Sequence, residues 1–219
     1  MIDLHTHTLW SDGELIPSEH IRRACHKGYK SIAITDHADS SNIEILCKES
    51  IAFARKMNQI QDEIYVISGI EITHVLPDEI NDLTEFAKKS GIGIVVVHGE
   101  TIAEPVREKT NLAAIKAKVD ILAHPGLISE EEVELARKNN VYLEITSRKG
   151  HCLTNGHVAK LALKFGASLV IDTDSHTSDD FISREKALKI LLGAGIPLEY
   201  TEAIFNNSKS IVEKIAKSL

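Results

Sequence analysis

Ile92-Gly93-Ile94-Val95-Val96-Val97-His98 is a short apolar run, rich in β-branched residues, that ends on an imidazole. A strand with one wet face alternates apolar and polar residues, whereas a strand covered on both faces does not, and the second habit belongs to parallel strands lying between layers of helix. Its length suits a strand better than a helix. Similar runs recur at 2–4, 31–35, 64–68, 120–123, 141–145 and 168–171, which with 92–97 makes seven candidate strands. Between them, segments 17–27, 42–61, 77–89, 130–139 and 155–165 carry apolar residues three and four apart, the spacing of an amphipathic helix. Ser129 with Glu132 reads as a capping box, Pro17 and Pro77 suit a first helical turn, and Gly28, Gly91 and Gly166 stand where left-handed helix stops are expected.

The repeating unit is therefore strand then helix. Seven such units without a composition break or Pro-rich linker predict an α/β fold in one domain over 1–219, closed or nearly closed into a barrel of the TIM type; an open doubly wound sheet fits the same periodicity. Segment 179–219 reads as two helices around Pro197 that close the barrel or cover its bottom.

Composition narrows the functional classes. With 43% hydrophobic and 26% charged residues the chain is neither disordered nor fibrous in type. No apolar run approaches the roughly 20 residues of a membrane span, and Met1-Ile2-Asp3-Leu4-His5 lacks the basic flank and apolar stretch of a leader, so a cytoplasmic protein without a membrane partner is expected. Cys25, Cys47 and Cys152 form no Cys-x-x-Cys pair and are read as reduced thiols. A net charge of −7 argues against a nucleic-acid partner while leaving room for a small anionic ligand, because bound cations would offset part of it.

The chemistry sits at the strand ends. In a parallel barrel the carboxyl ends of all strands share one face, so side chains placed just after them converge. His5 and His7 follow the first strand two residues apart, on one side of the chain. Asp12 lies in the turn beyond, His37 follows the second strand, Glu71 the third, His98 the fourth, His124 the fifth, and Asp174 and His176 the seventh. A single such residue is usually a cap or a turn residue, but together they give six imidazoles and three carboxylates. That is more than one or two catalytic metals need, fits three ions, and suits Zn, Fe, Mn or Co better than Ca. Arg148, after the sixth strand, is the candidate phosphate clamp, with a solvated surface arginine as the alternative. Lys149, His151 and Asn155 of the same loop are further candidates for substrate contact. Asp36 reads as a residue orienting a ligand beside it or as an N-cap or turn residue, and Glu100 as a pocket wall or a cap. His20, His26, His74 and His157 lack strand-end placement and read as exposed or capped.

In order along the chain, His5-Thr6-His7-Thr8 with Ser11-Asp12-Gly13, Thr35-Asp36-His37, Gly69-Ile70-Glu71, His98, Ala123-His124-Pro125-Gly126 and Asp172-Thr173-Asp174-Ser175-His176 resemble the motifs of the PHP domain, the polymerase and histidinol phosphatase family. The resemblance covers nearly the whole chain. It implies a distorted (β/α)7 barrel with a trinuclear centre: His5, His7, Glu71 and Asp174 on the first metal, Glu71 bridging to a second held by His98 and His124, and Asp12, His37 and His176 on the third. It also implies phosphate-ester hydrolysis by hydroxide activated on the metals, with Glu71, Asp174 and His176 at the reacting centre and a small phosphate monoester, such as histidinol phosphate, as substrate. Two other readings remain: a phosphodiesterase or exonuclease on nucleotides or nucleic-acid ends, and a noncatalytic metal-binding module. A carbon–nitrogen hydrolase of the amidohydrolase type also opens with His-x-His, but expects a strand-end lysine where this chain has Glu71.

Overall fold

The computed structural model describes residues 1–218. Strands and helices alternate in the order β1 (Ile2–Asp3), α1 (Pro17–His26), β2 (Ser31–Ile34), β3 (His37–Ala38), α2 (Ile43–Ile60), β4 (Tyr65–Ile72), α3 (Pro77–Ser90), β5 (Ile94–His98), α4 (Thr110–Ala117), β6 (Ile121–Ala123), α5 (Glu130–Asn139), β7 (Tyr142–Thr146), α6 (Asn155–Phe165), β8 (Leu169–Asp172), α7 (Arg184–Gly193) and α8 (Leu198–Ser218). A 3-10 turn, His151–Thr154, precedes α6.

All pairings are parallel, in the order β1-β2-β4-β5-β6-β7-β8. The second strand is interrupted: β2 pairs with the lower half of β4, the chain steps aside at Thr35-Asp36, and β3 resumes beside Glu71 and Ile72. Beyond β1 and β8 the sheet nearly closes through a single bridge between Thr6 and Ser175, with the His7 N–H donating to the Ser175 carbonyl at 2.8 Å and the Asp174 N–H to that of His5 at 2.9 Å. Below it, side chains replace the ladder, since Asp172 accepts the Leu4 N–H at 2.7 Å and Asp3 accepts both the N–H and the hydroxyl of Thr173. The result is a TIM-like α/β barrel of seven strands in its main path.

Alternation along the strands divides the core. Leu4, Ala33, Ile67, Ile94, Val96, Ile121, Ala123 and Val170 fill the lumen, and Ile211 and Ile215 of α8 plug its lower end. The opposite strand faces pack outward on the helices, as with Ile70, Val95, Leu122, Leu143 and Ile171. With its floor apolar and plugged, the barrel opens for chemistry only at the carboxyl ends of the strands. The two helices expected around Pro197 are α7 and α8, with Leu219 outside the described residues. No helix among the described residues is long and apolar enough to cross a membrane.

Candidate metal centre

The barrel gathers the nine strand-end side chains at one end: Asp12, His37, His98, Asp174 and His176 line a cavity, and His5, His7, Glu71 and His124 are buried beneath it. His5 Nε2 faces Glu71 Oε1 at 3.1 Å and Asp174 Oδ1 at 3.9 Å, and His7 Nε2 lies 3.2 Å from Asp174 Oδ1. His124 Nε2 stands 3.6 Å from Asp174 Oδ2 and 3.9 Å from Glu71 Oε1. On one flank, Asp12 Oδ1 is 3.1 Å from Nε2 of both His37 and His176. On the other, the rings of His98 and His124 are 4.5 Å apart.

Loop chemistry fixes these positions. Asp36 accepts the Thr8 N–H at 2.7 Å, the Thr8 hydroxyl at 2.8 Å and the Ser11 hydroxyl at 2.7 Å, a turn role that pins the loop carrying Asp12. His124 and Asp174 adopt positive φ, 26° and 52°. Such backbone costs on the order of 1–3 kcal/mol in a non-glycine residue and persists where surrounding structure holds it in place. Gly126, at φ 63°, must lack a side chain because a Cβ there would run into the Glu100 carbonyl.

Electrostatics bear on whether cations fit. Burial disfavours charge on His5, yet Glu144, Glu71 and Asp174 around it raise its pKa well above the ordinary value. His37 is likewise raised to about 10 despite burial, by Asp12 and Glu71. Burial works against ionised Glu71 and Asp174, but the imidazoles, His5 foremost, hold both below the usual carboxylate range. Burial pushes His7 down to about 3 and His124 well below its ordinary value. A field that holds protons on some imidazoles would hold divalent cations in their place.

Unpaired atoms make the same point. His5 Nε2, both ring nitrogens of His7 and of His124, and Glu71 Oε1 are buried without a hydrogen bond. A buried polar atom left unpartnered costs about 1–3 kcal/mol, so their concentration at one point is a donor set shaped for metal. Among the described residues five groups place their ligand atoms mutually within 4.8 Å: His5, His7 and Glu71; His7, Asp12, His37 and His176; His98, His124 and His151; His5, His124 and Glu144; and His74, His98 and Glu104.

The PHP domain profile matches residues 3–212. The chain belongs to the PHP domain family. It is 46% identical over 215 residues to the uncharacterized protein MJ1295 of Methanocaldococcus jannaschii, covering 97% of this chain and 99% of that one. It is 31% identical to a probable phosphatase of Shewanella pealeana, over 91% of this chain and 86% of the relative. In fold it is similar to a chain of archaeal ribonuclease P with mature tRNA (TM-score 0.70, 21% identity, 98% and 91% coverage). It is also similar in fold to histidinol phosphate phosphatase of Lactococcus lactis with zinc, L-histidinol and phosphate (TM-score 0.63, 16% identity, 90% and 94% coverage).

In this PHP domain the remaining candidates find specific partners. Arg148 lines the cavity above the centre but is tied to Asp180 at 3.3 Å. Asn155 closes on the Thr146 backbone instead of facing substrate, Lys149 is exposed, and Glu100 accepts the Asn111 N–H at the start of α4 as a cap. His20 is fully buried against Phe181 and so is not exposed, whereas His74 is exposed, as read, and also reaches the cavity wall. Three residues near the pocket were not read as parts of the centre. Glu144 of β7 lies 2.7 Å from His5 Nδ1 and accepts the His124 N–H at 2.9 Å, His151 joins the His98–His124 group, and Glu104 of the β5–α4 loop faces three imidazoles.

Proposed function

We propose that this metal-dependent phosphoesterase hydrolyses a small phosphate monoester at a trinuclear centre. The observation that carries the reading is the convergence of unpaired ring nitrogens and carboxylate oxygens beneath a cavity of only about 260 Å³, lined by Asp12, His37, His74, His98, Glu104 and Arg148 among others. A cavity of that volume is at the small end for ligand sites, which favours a metabolite over a polymer. The relative named a probable phosphatase supports monoester chemistry, and the zinc, histidinol and phosphate bound by the Lactococcus lactis enzyme make histidinol phosphate the first substrate to try.

His5, His7, Glu71 and Asp174 would hold the first metal, His98 and His124 with Glu71 the second, and Asp12, His37 and His176 the third. Bound divalent ions supply an activated water and neutralise phosphoryl charge. Glu71, bordered by His5, His37 and His124, keeps its carboxylate ionised between the positions. Asp174 faces His5, His7, His124 and His176 and stays ionised as well. Arg148 would turn from Asp180 to the phosphate oxygens, a guanidinium being able to donate two parallel hydrogen bonds. Thr73 donates to Glu71 at 2.8 Å and sits 2.6 Å from His37 Nδ1, orienting both.

The test is turnover by protein reconstituted with Zn, Mn, Fe or Co on four substrates in parallel: p-nitrophenyl phosphate, its bis-ester, histidinol phosphate and a short single-stranded oligonucleotide. Turnover of a monoester with none of the oligonucleotide is expected. Cleavage of only the diester or oligonucleotide would move the proposal to nucleic-acid ends, and inactivity with ions bound would make the chain a binding module.

A further inference from the structure

Glu104 comes from a loop that contributes none of the nine strand-end residues, yet it stands over the centre. Its Oε2 is 3.2 Å from His98 Nε2 and 3.0 Å from His74 Nε2, and its Oε1 is 3.3 Å from His151 Nε2. His98 Nδ1 lies 3.1 Å from the Gly99 carbonyl, which can only accept, so that nitrogen carries a hydrogen and Nε2 is the atom His98 offers to a metal. A carboxylate oxygen facing that lone pair at 3.2 Å requires a proton or a cation between them. Two donors on one ion with bonds of about 2.1 Å lie about 3.0–3.4 Å apart in octahedral or tetrahedral geometry, which is the separation found.

His151 supplies the second observation. It is buried, its Nδ1 has no hydrogen-bond partner, and its ring centre is 4.3 Å from that of His124 and 5.7 Å from that of His98. It arrives on the 3-10 turn after β7, between the candidate phosphate clamp Arg148 and the buried Asn155.

We propose that His151 and Glu104 are ligands of the ion held by His98 and His124, and that Glu104 is the ligand a phosphate group displaces. The proposal rests on the metal-dependent reading above and adds two residues to it. Glu104 is suited to leave: its side chain is 40% exposed on the loop between β5 and α4, and His74, also exposed, gives the departing carboxylate a partner. Exchanging a carboxylate oxygen for a phosphoryl oxygen leaves the anionic character of the shell unchanged, so an incoming phosphate meets no net loss of charge balance.

The full chain loaded with Co²⁺ tests this without turnover, because the visible ligand-field spectrum of Co²⁺ responds to a change of ligand. Glu104→Gln and His151→Asn are each expected to alter that spectrum and to weaken one ion by at least about tenfold in equilibrium dialysis. Inorganic phosphate is expected to shift the native spectrum and to bind Glu104→Gln about tenfold more tightly, since no carboxylate must leave, a difference of about 1.4 kcal/mol. Unchanged spectra and ion affinities in Glu104→Gln overturn the assignment. Glu104 is on an exposed loop, so this variant decides the Glu104 assignment even if His151→Asn does not fold, and His151→Gln then serves as the second variant for the histidine. Binding of three ions with these spectral effects but no monoester turnover would count against the proposed activity while leaving the ligand assignment standing.

Discussion

Glu144 lies in the barrel wall with one carboxylate oxygen on His5 Nδ1 and the other on the His124 N–H, so one side chain sets the orientation of two candidate ligands from different strands. Removing such a partner typically lowers metal affinity 10–100-fold. Glu144→Ala should therefore lose on the order of tenfold or more in competition against a fluorescent chelator, and an unchanged affinity would contradict the role. Asp120 gives a residue-level test of stability. Burial raises its pKa, and the Val95 N–H together with Lys88 and Lys214 only partly offsets this. The native state then keeps a proton that the unfolded chain releases near pH 4, so stability falls as pH climbs from there through the raised pKa and is level above it. Asp120→Asn should flatten that slope in urea midpoints measured across the range; a slope equal to the native one would refute the sign. At this scale the sequence pointed to candidate ligands near strand ends and hid the residues that surround them. Glu144 did leave a trace, as a charge inside the apolar run Tyr142-Leu143-Glu144-Ile145-Thr146, whereas Glu104 shares its loop with Glu100 and Glu108 and nothing local singles it out.

Among the elements, α5 has the most explicit start. The Ser129 hydroxyl accepts the Glu132 N–H and the Glu132 carboxylate accepts the Ser129 N–H, as the sequence spacing predicts. Ser129→Ala should cost about 1 kcal/mol in denaturant titration, and a loss well under half of that would mean the box carries little of the helix. Strands were readable wherever a run of β-branched residues lies between layers. The two-residue β3 was not, because two residues have no period, and its existence depends on β4 continuing past Ser68 to Ile72. Helix α4 also escaped notice: Leu112, Ala113, Ala114, Ile115 and Ala117 surround it without forming a stripe. The effect on the site is real, since β4 carries Glu71 inside the strand instead of after it, in register with Val96 of β5. Glu71 is accordingly held by two ladders, firmer support than a loop would give.

For the whole molecule, the centre gathers buried carboxylates and imidazoles that bound cations would satisfy together, so occupancy should stabilise the fold. At 100 times the dissociation constant a ligand adds about 2.7 kcal/mol, which for a chain of this length raises the melting temperature by roughly 5–10 °C. Melting curves with and without a chelator should differ in that direction, and coincident curves would argue that the centre binds nothing tightly. The seam between β1 and β8 has a temporal consequence. His5 and His7 stand on one side of it and Asp174 and His176 on the other, joined by the Thr6–Ser175 bridge. A nascent chain leaving the ribosome therefore carries its histidine pair for most of its synthesis before the matching aspartate exists, and the complete donor set forms only once the eighth strand has docked against the first.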